Sequence, residues 1–265
     1  MRFYTLLKWR ENTKARNKVK FNICNVHYAK QIAAEDGTVS YDTPIPMPGA
    51  VSLSLDPNGE PSVFYADGCA YYTISNNQGY EGDFELAMVP DSFRRDILNE
   101  SLDRKKVLVE NAEAGGSRFA LLFEFDGDVK KIRHVLYNCM AARPTIESST
   151  KEDEIEVKTE TLSLTATPLN NGCVKARTSD TTDEETYTGW YDAVYIPNGR
   201  LTHEVRFLNN AGDDVRATVT VDDGADATSL APEPEVIEGM TFTGWNPPIT
   251  RVVEDMTVRP VYEEA

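Results

Sequence analysis

At 265 residues the chain has room for one large or two ordinary domains, since domains most often run to about 100–150 residues. Its 40% hydrophobic content can build a core, and no apolar run approaches the ~20 residues of a membrane-spanning helix. With 27 Lys and Arg against 43 Asp and Glu, the net charge is −16, which argues against a general cationic grip on nucleic-acid phosphates.

The charge is unevenly spread. Residues 1–20 carry seven Lys or Arg and one Glu, whereas residues 200–265 carry five Arg, no Lys and 13 acids. The basic start holds only a short apolar run, Phe3 to Leu7, so it lacks the h-region of roughly 7–15 residues of a signal peptide; synthesis in a cytoplasm is expected. Four cysteines at positions 24, 69, 139 and 173 show no Cys-x-x-Cys pair, and free thiols are expected, with Cys69 and Cys139 as small hydrophobes in strands.

In chain order, period-two alternation predicts strands over 18–26, 50–55, 69–75, 80–89, 107–111, 118–126, 131–141, 154–167 and 174–178. Asp126-Gly127-Asp128 marks a tight hairpin between two of them. One amphipathic helix fits Asp91 to Arg104, opened by Pro90, with Phe93, Ile97, Leu98 and Leu102 on one face. Residues 29–48, with three prolines, and residues 56–68, with Asp-Pro-Asn-Gly, read as long loops or arms. After Pro197-Asn-Gly199 lysine vanishes and four short strands follow, over 201–208, 217–221, 241–245 and 257–262. The expected division is a basic extension (1–17), a large β domain (18–197) and a small β module (198–265).

Chemistry is sparse. His27, His134 and His203 fall in separate strands, and nucleophile, zinc, phosphate-loop and dinucleotide motifs are all absent. The Asp126/Asp128, Asp213-Asp214 and Asp222-Asp223 pairs read as turn residues, without calcium-loop spacing. No enzyme, cofactor or metal is expected. What stands out is acid on one face of amphipathic strands. Alternation sets Glu81, Asp83 and Glu85 opposite Phe84, Leu86 and Met88, and Glu154, Glu156, Lys158 and Glu160 opposite Ile155 and Val157. An ordinary solvated surface accounts for such faces as well as a functional one does.

Several ordered stretches resemble the phage major tail protein family, the tail-tube subunits of long-tailed phages of Gram-positive bacteria. They are Lys18–Lys30 (KVKFNICNVHYAK), Pro46–Leu53 (PMPGAVSL), Phe64–Gly68 (FYADG), Gly79–Asp83 (GYEGD), Phe119–Asp128 (FALLFEFDGD), Arg133–Cys139 (RHVLYNC) and Glu160–Ala166 (ETLSLTA). The resemblance spans roughly residues 18–197 and implies a mostly β fold, a β-sandwich or open barrel with one flanking helix. It further implies a virion protein whose hexameric rings stack into a tail tube for DNA ejection. Its partners would be further copies of itself, the tail tip, tape measure and tail terminator proteins, and DNA that passes without specific binding. The candidate lumen-facing acids are then Glu81, Asp83, Glu85, Glu154, Glu156 and Glu160. Residues 1–17 lie outside that pattern.

The stretch from residue 200 resembles the repeat domain of Listeria and Bacteroides surface proteins, through Val205–Phe207 (VRF), Gly239–Trp245 (GMTFTGW), Asp255–Val258 (DMTV) and Tyr262. This resemblance implies a small β-grasp-like module with the bacterial surface as its expected contact. Phe207, Phe242, Trp245 and Tyr262 are its expected core anchors. A cell-surface or host-binding adhesive protein is the alternative reading of the whole chain, disfavoured by the missing signal peptide and disulfides.

Overall fold

The computed structural model describes residues 17–34, 38–148, 150 and 157–265. Residues 1–16 of the basic extension, and Glu154 and Glu156, lie outside the described residues. The chain is mostly β and divides into two compact units, Met1–Ile196 and Pro197–Ala265.

In the first unit, strands β1 (Lys20–Ala33), β2 (Val39–Tyr41), β3 (Ile45–Pro46) and β4 (Ala50–Asn58) are followed by β5 (Ser62–Ala66), β6 (Cys69–Ile74) and β7 (Gly79–Leu86). Helix α1 (Asp91–Asp96) leads through β8 (Ser101–Leu102) and β9 (Leu108–Val109) to β10 (Phe119–Gly127), β11 (Ile132–Ala141), β12 (Glu160–Ala166), β13 (Lys175–Arg177) and α2 (Glu184–Thr188). The main sheet runs β2-β1-β10-β11-β12-β7-β4, with β3 added to β1 and β13 to β11; every pairing is antiparallel.

Its centre is buried on both sides because its residues are apolar on both sides. In β10, Phe119, Leu121 and Phe123 enter one core with Val26, Tyr28, Phe84, Leu86 and Leu162, while Ala120 and Leu122 enter a second core with Val135, Tyr137 and Trp190. Near-continuous hydrophobic runs are what a doubly covered strand requires. The first core draws on β1 and on β7 at opposite ends of the strand order, so the sheet curls around it, and Phe93 of α1 packs edge-on against Tyr28 and Phe119. The second core is covered by the segment after α2, whose Trp190 is buried.

That cover is fixed by a buried charge. Glu124, 3% exposed, turns to the second core's side of β10 and accepts from Lys131 Nζ at 2.7 Å, Arg133 Nε at 3.3 Å and the Tyr191 hydroxyl at 3.3 Å. Removing water from a carboxylate costs several kcal/mol unless such partners replace it, on the order of the penalty for any buried ion. Burial and the nearby Glu124 charge push the Cys24 thiol up, so it stays protonated. All four cysteines are free, and Cys139 is buried as expected, but Cys69 is exposed near a hairpin turn.

Three expectations need correcting. The helix expected over Asp91 to Arg104 ends near Ile97: Asn99 takes a left-handed φ of 56°, and the chain then forms the β8–β9 hairpin, leaving Leu102 48% exposed. The stretches 29–48 and 56–68 are not simply loops: among the described residues, 29–33, 39–41, 45–46, 56–58 and 62–66 are strand. Pro57 continues β4 because β4 is an edge, where the missing N–H disturbs no ladder, and Pro46 sits in a two-residue bridge to β1. The strand expected from residue 154 begins at Glu160.

The second unit has β14 (Thr202–Leu208), β15 (Val215–Asp222), β16 (Met240–Asn246) and β17 (Met256–Glu264), in the order β15-β14-β17-β16 with the central pair parallel. The crossover from β15 to β16 carries a three-residue helical turn, Thr228–Leu230. Its core gathers Val205, Phe207, Val221, Ile249, Val252 and Val258.

Candidate functional site

Strands β4, β7 and β12 build one continuous polar face. Backbone register aligns Ser52, Glu85 and Thr161 in one row, Ser54, Asp83 and Ser163 in the next, and Asp56, Glu81 and Thr165 in the third. On the opposite side, Leu53, Leu55, Phe84, Leu86, Leu162 and Leu164 face the first core, so the pleat itself holds the polar row outward. Gly82 lets β4 close up on β7, since a Cβ there would lie 2.1 Å from the Ser54 carbonyl oxygen.

The nine positions hold four carboxylates, five hydroxyls and no cation. The hydroxyls orient the acids without neutralising them. Glu85 accepts from Ser52 at 2.8 Å and from Thr159 at 2.7 Å, Asp83 from Ser163 at 2.8 Å, and Glu81 from the Asn58 amide at 3.3 Å. Hydrogen bonds from Thr159 and Ser52 hold the Glu85 carboxyl below its usual range, which keeps it charged. Asp56 lies directly opposite Glu81, a like-charge pairing that costs stability.

Glu81, Asp83 and Glu85 therefore stand on one face, as alternation predicts. Glu160 does not join them. It is in register with Leu86 on the core side, accepts from the Val89 amide and pairs with Arg94 of α1 at 2.8 Å. The physical reason is that Glu160 shares its parity with Leu162, Leu164 and Ala166, which face the first core. Glu160 fixes the helix to the sheet. Asp56 is the acid the sequence reading missed, although Ser52-x-Ser54-x-Asp56 alternating with Leu53 and Leu55 carried the signal.

The hairpin β5–β6 forms its own two-stranded sheet, turning at Asp67-Gly68 with Asp67 at φ 53°. Phe64, Tyr65, Tyr71 and Tyr72 are each 62–69% exposed, and Val63 and Ile74 are exposed as well. Phe64 and Tyr72 are cross-strand partners, whereas Val63 pairs with Thr73 on the other face, so both faces carry bare apolar groups. An isolated two-stranded ribbon is marginal in water, and an apolar surface of this kind marks an interface.

In the second unit, Phe207 is fully buried and Trp245 packs edge-on against it at 4.8 Å between ring centroids. Phe242 bridges Trp245 and Tyr262 at 5.5 and 5.7 Å, and the Tyr262 hydroxyl donates to the Glu235 carbonyl at 2.8 Å. Of the four expected anchors, Phe207 is fully enclosed and Trp245 packs half-buried against the core, whereas Phe242 and Tyr262, also half-buried, make a chain of ring contacts outward from Trp245.

Among the described residues no group of three His, Cys, Asp or Glu side chains is arranged to hold a metal ion. Compared with models of known protein families and with curated proteins, the chain matches none.

Proposed function

We propose that the chain is the self-assembling subunit of a phage tail tube, in which rings stack and the acidic face lines the DNA path. The observation that carries this reading is the β5–β6 hairpin, bare on both faces and built of aromatic residues, which is stable only when another surface covers it. The sheet edges at β2 and β4 offer further pairing sites of the kind a closed ring removes. A head-to-tail contact that closes by rotation makes a ring, and the same surfaces repeated along an axis make a tube.

The face of Asp56, Glu81, Asp83 and Glu85 then has a task. Duplex DNA carries one negative charge per ~1.7 Å of axis, so a face whose nine aligned positions hold four carboxylates and no cation repels the duplex rather than binding it. The ordered sequence resemblance supports the same assignment, and it extends to the virion as location and to tail tip, tape measure and terminator proteins as neighbours. The second unit is proposed as an outward module that contacts the bacterial surface. Negative-stain microscopy of the full chain across a concentration series tests the reading. Rings or tubes are expected; a chain that stays monomeric at every concentration contradicts it.

A further inference from the structure

A cavity of about 180 Å³ opens at one end of the first core, lined by Leu53, Leu55, Phe123 and Phe125 and flanked by Lys20 and Lys175. A dry cavity of ~150 Å³ accommodates a benzene ring, so one aromatic side chain fits. Its chemistry is unusual for a body of net charge −16. The Lys20 ammonium sits 4.8 Å from the Phe125 ring centroid and the Lys175 ammonium 4.3 Å from that of Tyr80, whose hydroxyl it also contacts. Neither lysine pairs with a carboxylate among the described residues, and Arg177, in the same strand as Lys175, adds a third cation without one. His134 stacks flat on Phe123 at 5.1 Å, and its buried Nε2 has no hydrogen-bond partner.

The cavity thus asks for an aromatic body and a carboxylate at the rim. The tip of the β5–β6 hairpin offers both within seven residues: Tyr65 and Tyr71, both more than two-thirds exposed, flank Asp67 at the turn. That exposure shows the tip does not fill this cavity in its own chain. We propose that the hairpin tip of one copy inserts into the Lys20–Lys175 cavity of a second copy, with Asp67 against the lysines and a tyrosine ring against the apolar wall. The contact is head-to-tail, because the hairpin and the cavity are different surfaces, and so it propagates rather than closing as a pair. This inference rests on the tube-subunit reading and gives it a specific contact.

Charge exchange tests it in the full chain. The variants are Asp67→Lys, Lys175→Asp and the double exchange, with assembly read by sedimentation over a concentration series and folding read by thermal melting. Each single change is expected to raise the concentration for half-assembly at least tenfold with melting unchanged, and the double exchange to restore it to within about threefold, since each lost pair of this kind is worth on the order of 1.4 kcal/mol. Should Asp67→Lys disturb the left-handed turn, Asp67→Asn, which that backbone tolerates, is expected to weaken assembly in the same direction by a smaller factor. Single changes without effect while wild-type tubes form, or a double exchange no better than the worse single one, overturn the docking and leave the tube reading standing. A wild-type chain that never assembles overturns both.

Discussion

Two hairpins of the first unit have similar apolar content and opposite surroundings. In β10–β11, both faces are covered, one by β1, β7 and α1 and the other by the segment around Trp190. In β5–β6, neither face is covered, and Phe64, Tyr65, Tyr71 and Tyr72 stand in water. Local sequence dictates the strands in both cases; what differs is whether the same chain supplies a cover. The first hairpin belongs to the core of the fold, and the second is a bare surface, which the proposed assembly covers with another copy.

This difference is sharpest in truncations. Phe119→Ala is expected to cost ~3–5 kcal/mol, as full aromatic truncation in a packed interior does, whereas Tyr72→Ala should change the melting of the monomer by no more than ~0.5 kcal/mol while weakening assembly. Thermal or urea unfolding of the two variants, beside their sedimentation, reads both. A Tyr72→Ala monomer as unstable as Phe119→Ala would mean the hairpin is covered within its own chain, and the comparison fails.

A smaller effect separates the two by pH. Burial, helped by the charges of Lys20, Arg177 and Lys175, pushes the His134 imidazole in β11 down to about 4 from its ordinary 6.5. Between those values the unfolded chain binds the proton first, so this contribution is full above about pH 6.5 and is lost as pH falls toward 4, by up to ~3 kcal/mol. Unfolding measured across that range should show the decline, and His134→Gln should flatten it. A wild-type stability that stays level from pH 7 to pH 4.5 contradicts the buried neutral imidazole.

In the second unit, Trp245→Ala is expected to cost ~2 kcal/mol, less than a fully enclosed aromatic, because the indole is half-buried against Phe207. Differential scanning calorimetry of the full chain checks it, and an unchanged transition would make the tryptophan a surface group free for a ligand. The smallest effect has the opposite sign. Asp56→Asn removes a like-charge pair facing Glu81 and should stabilise the monomer by ~0.2–1 kcal/mol; a loss of stability in urea unfolding would show that the acidic face is tied together by something other than its hydroxyls.

Much of this was legible beforehand, and the exceptions have physical causes. Strict alternation in Tyr80–Leu86 placed β7, because a half-buried strand leaves a periodic trace, and the apolar runs on either side of the turn at Asp126-Gly127 placed β10 and β11, because a doubly buried strand is apolar on both faces. Helix length was overread, since Leu102 continues the apolar spacing of Phe93 and Ile97 and nothing but the left-handed Asn99 reveals the stop. The prolines of β3 and β4 hid strands that lie at a bridge and an edge. Short α2 was missed although Asp183 caps it by accepting from the Thr186 amide at 2.8 Å. In the acidic face, the side taken by Glu81, Asp83 and Glu85, by Asp56 beyond Ser52 and Ser54, and by Glu160 with Leu162 and Leu164 is carried by alternation within each strand, whereas the alignment of these strands into one face depends on register between segments distant in sequence.

A cryo-electron microscopy reconstruction of tubes assembled from the full chain tests the central claim most directly. The account predicts stacked rings with Asp56, Glu81, Asp83 and Glu85 facing the lumen and the β5–β6 hairpin buried against a neighbouring copy. Tubes in which that acidic face lies on the exterior, or in which the hairpin remains bare, would contradict it.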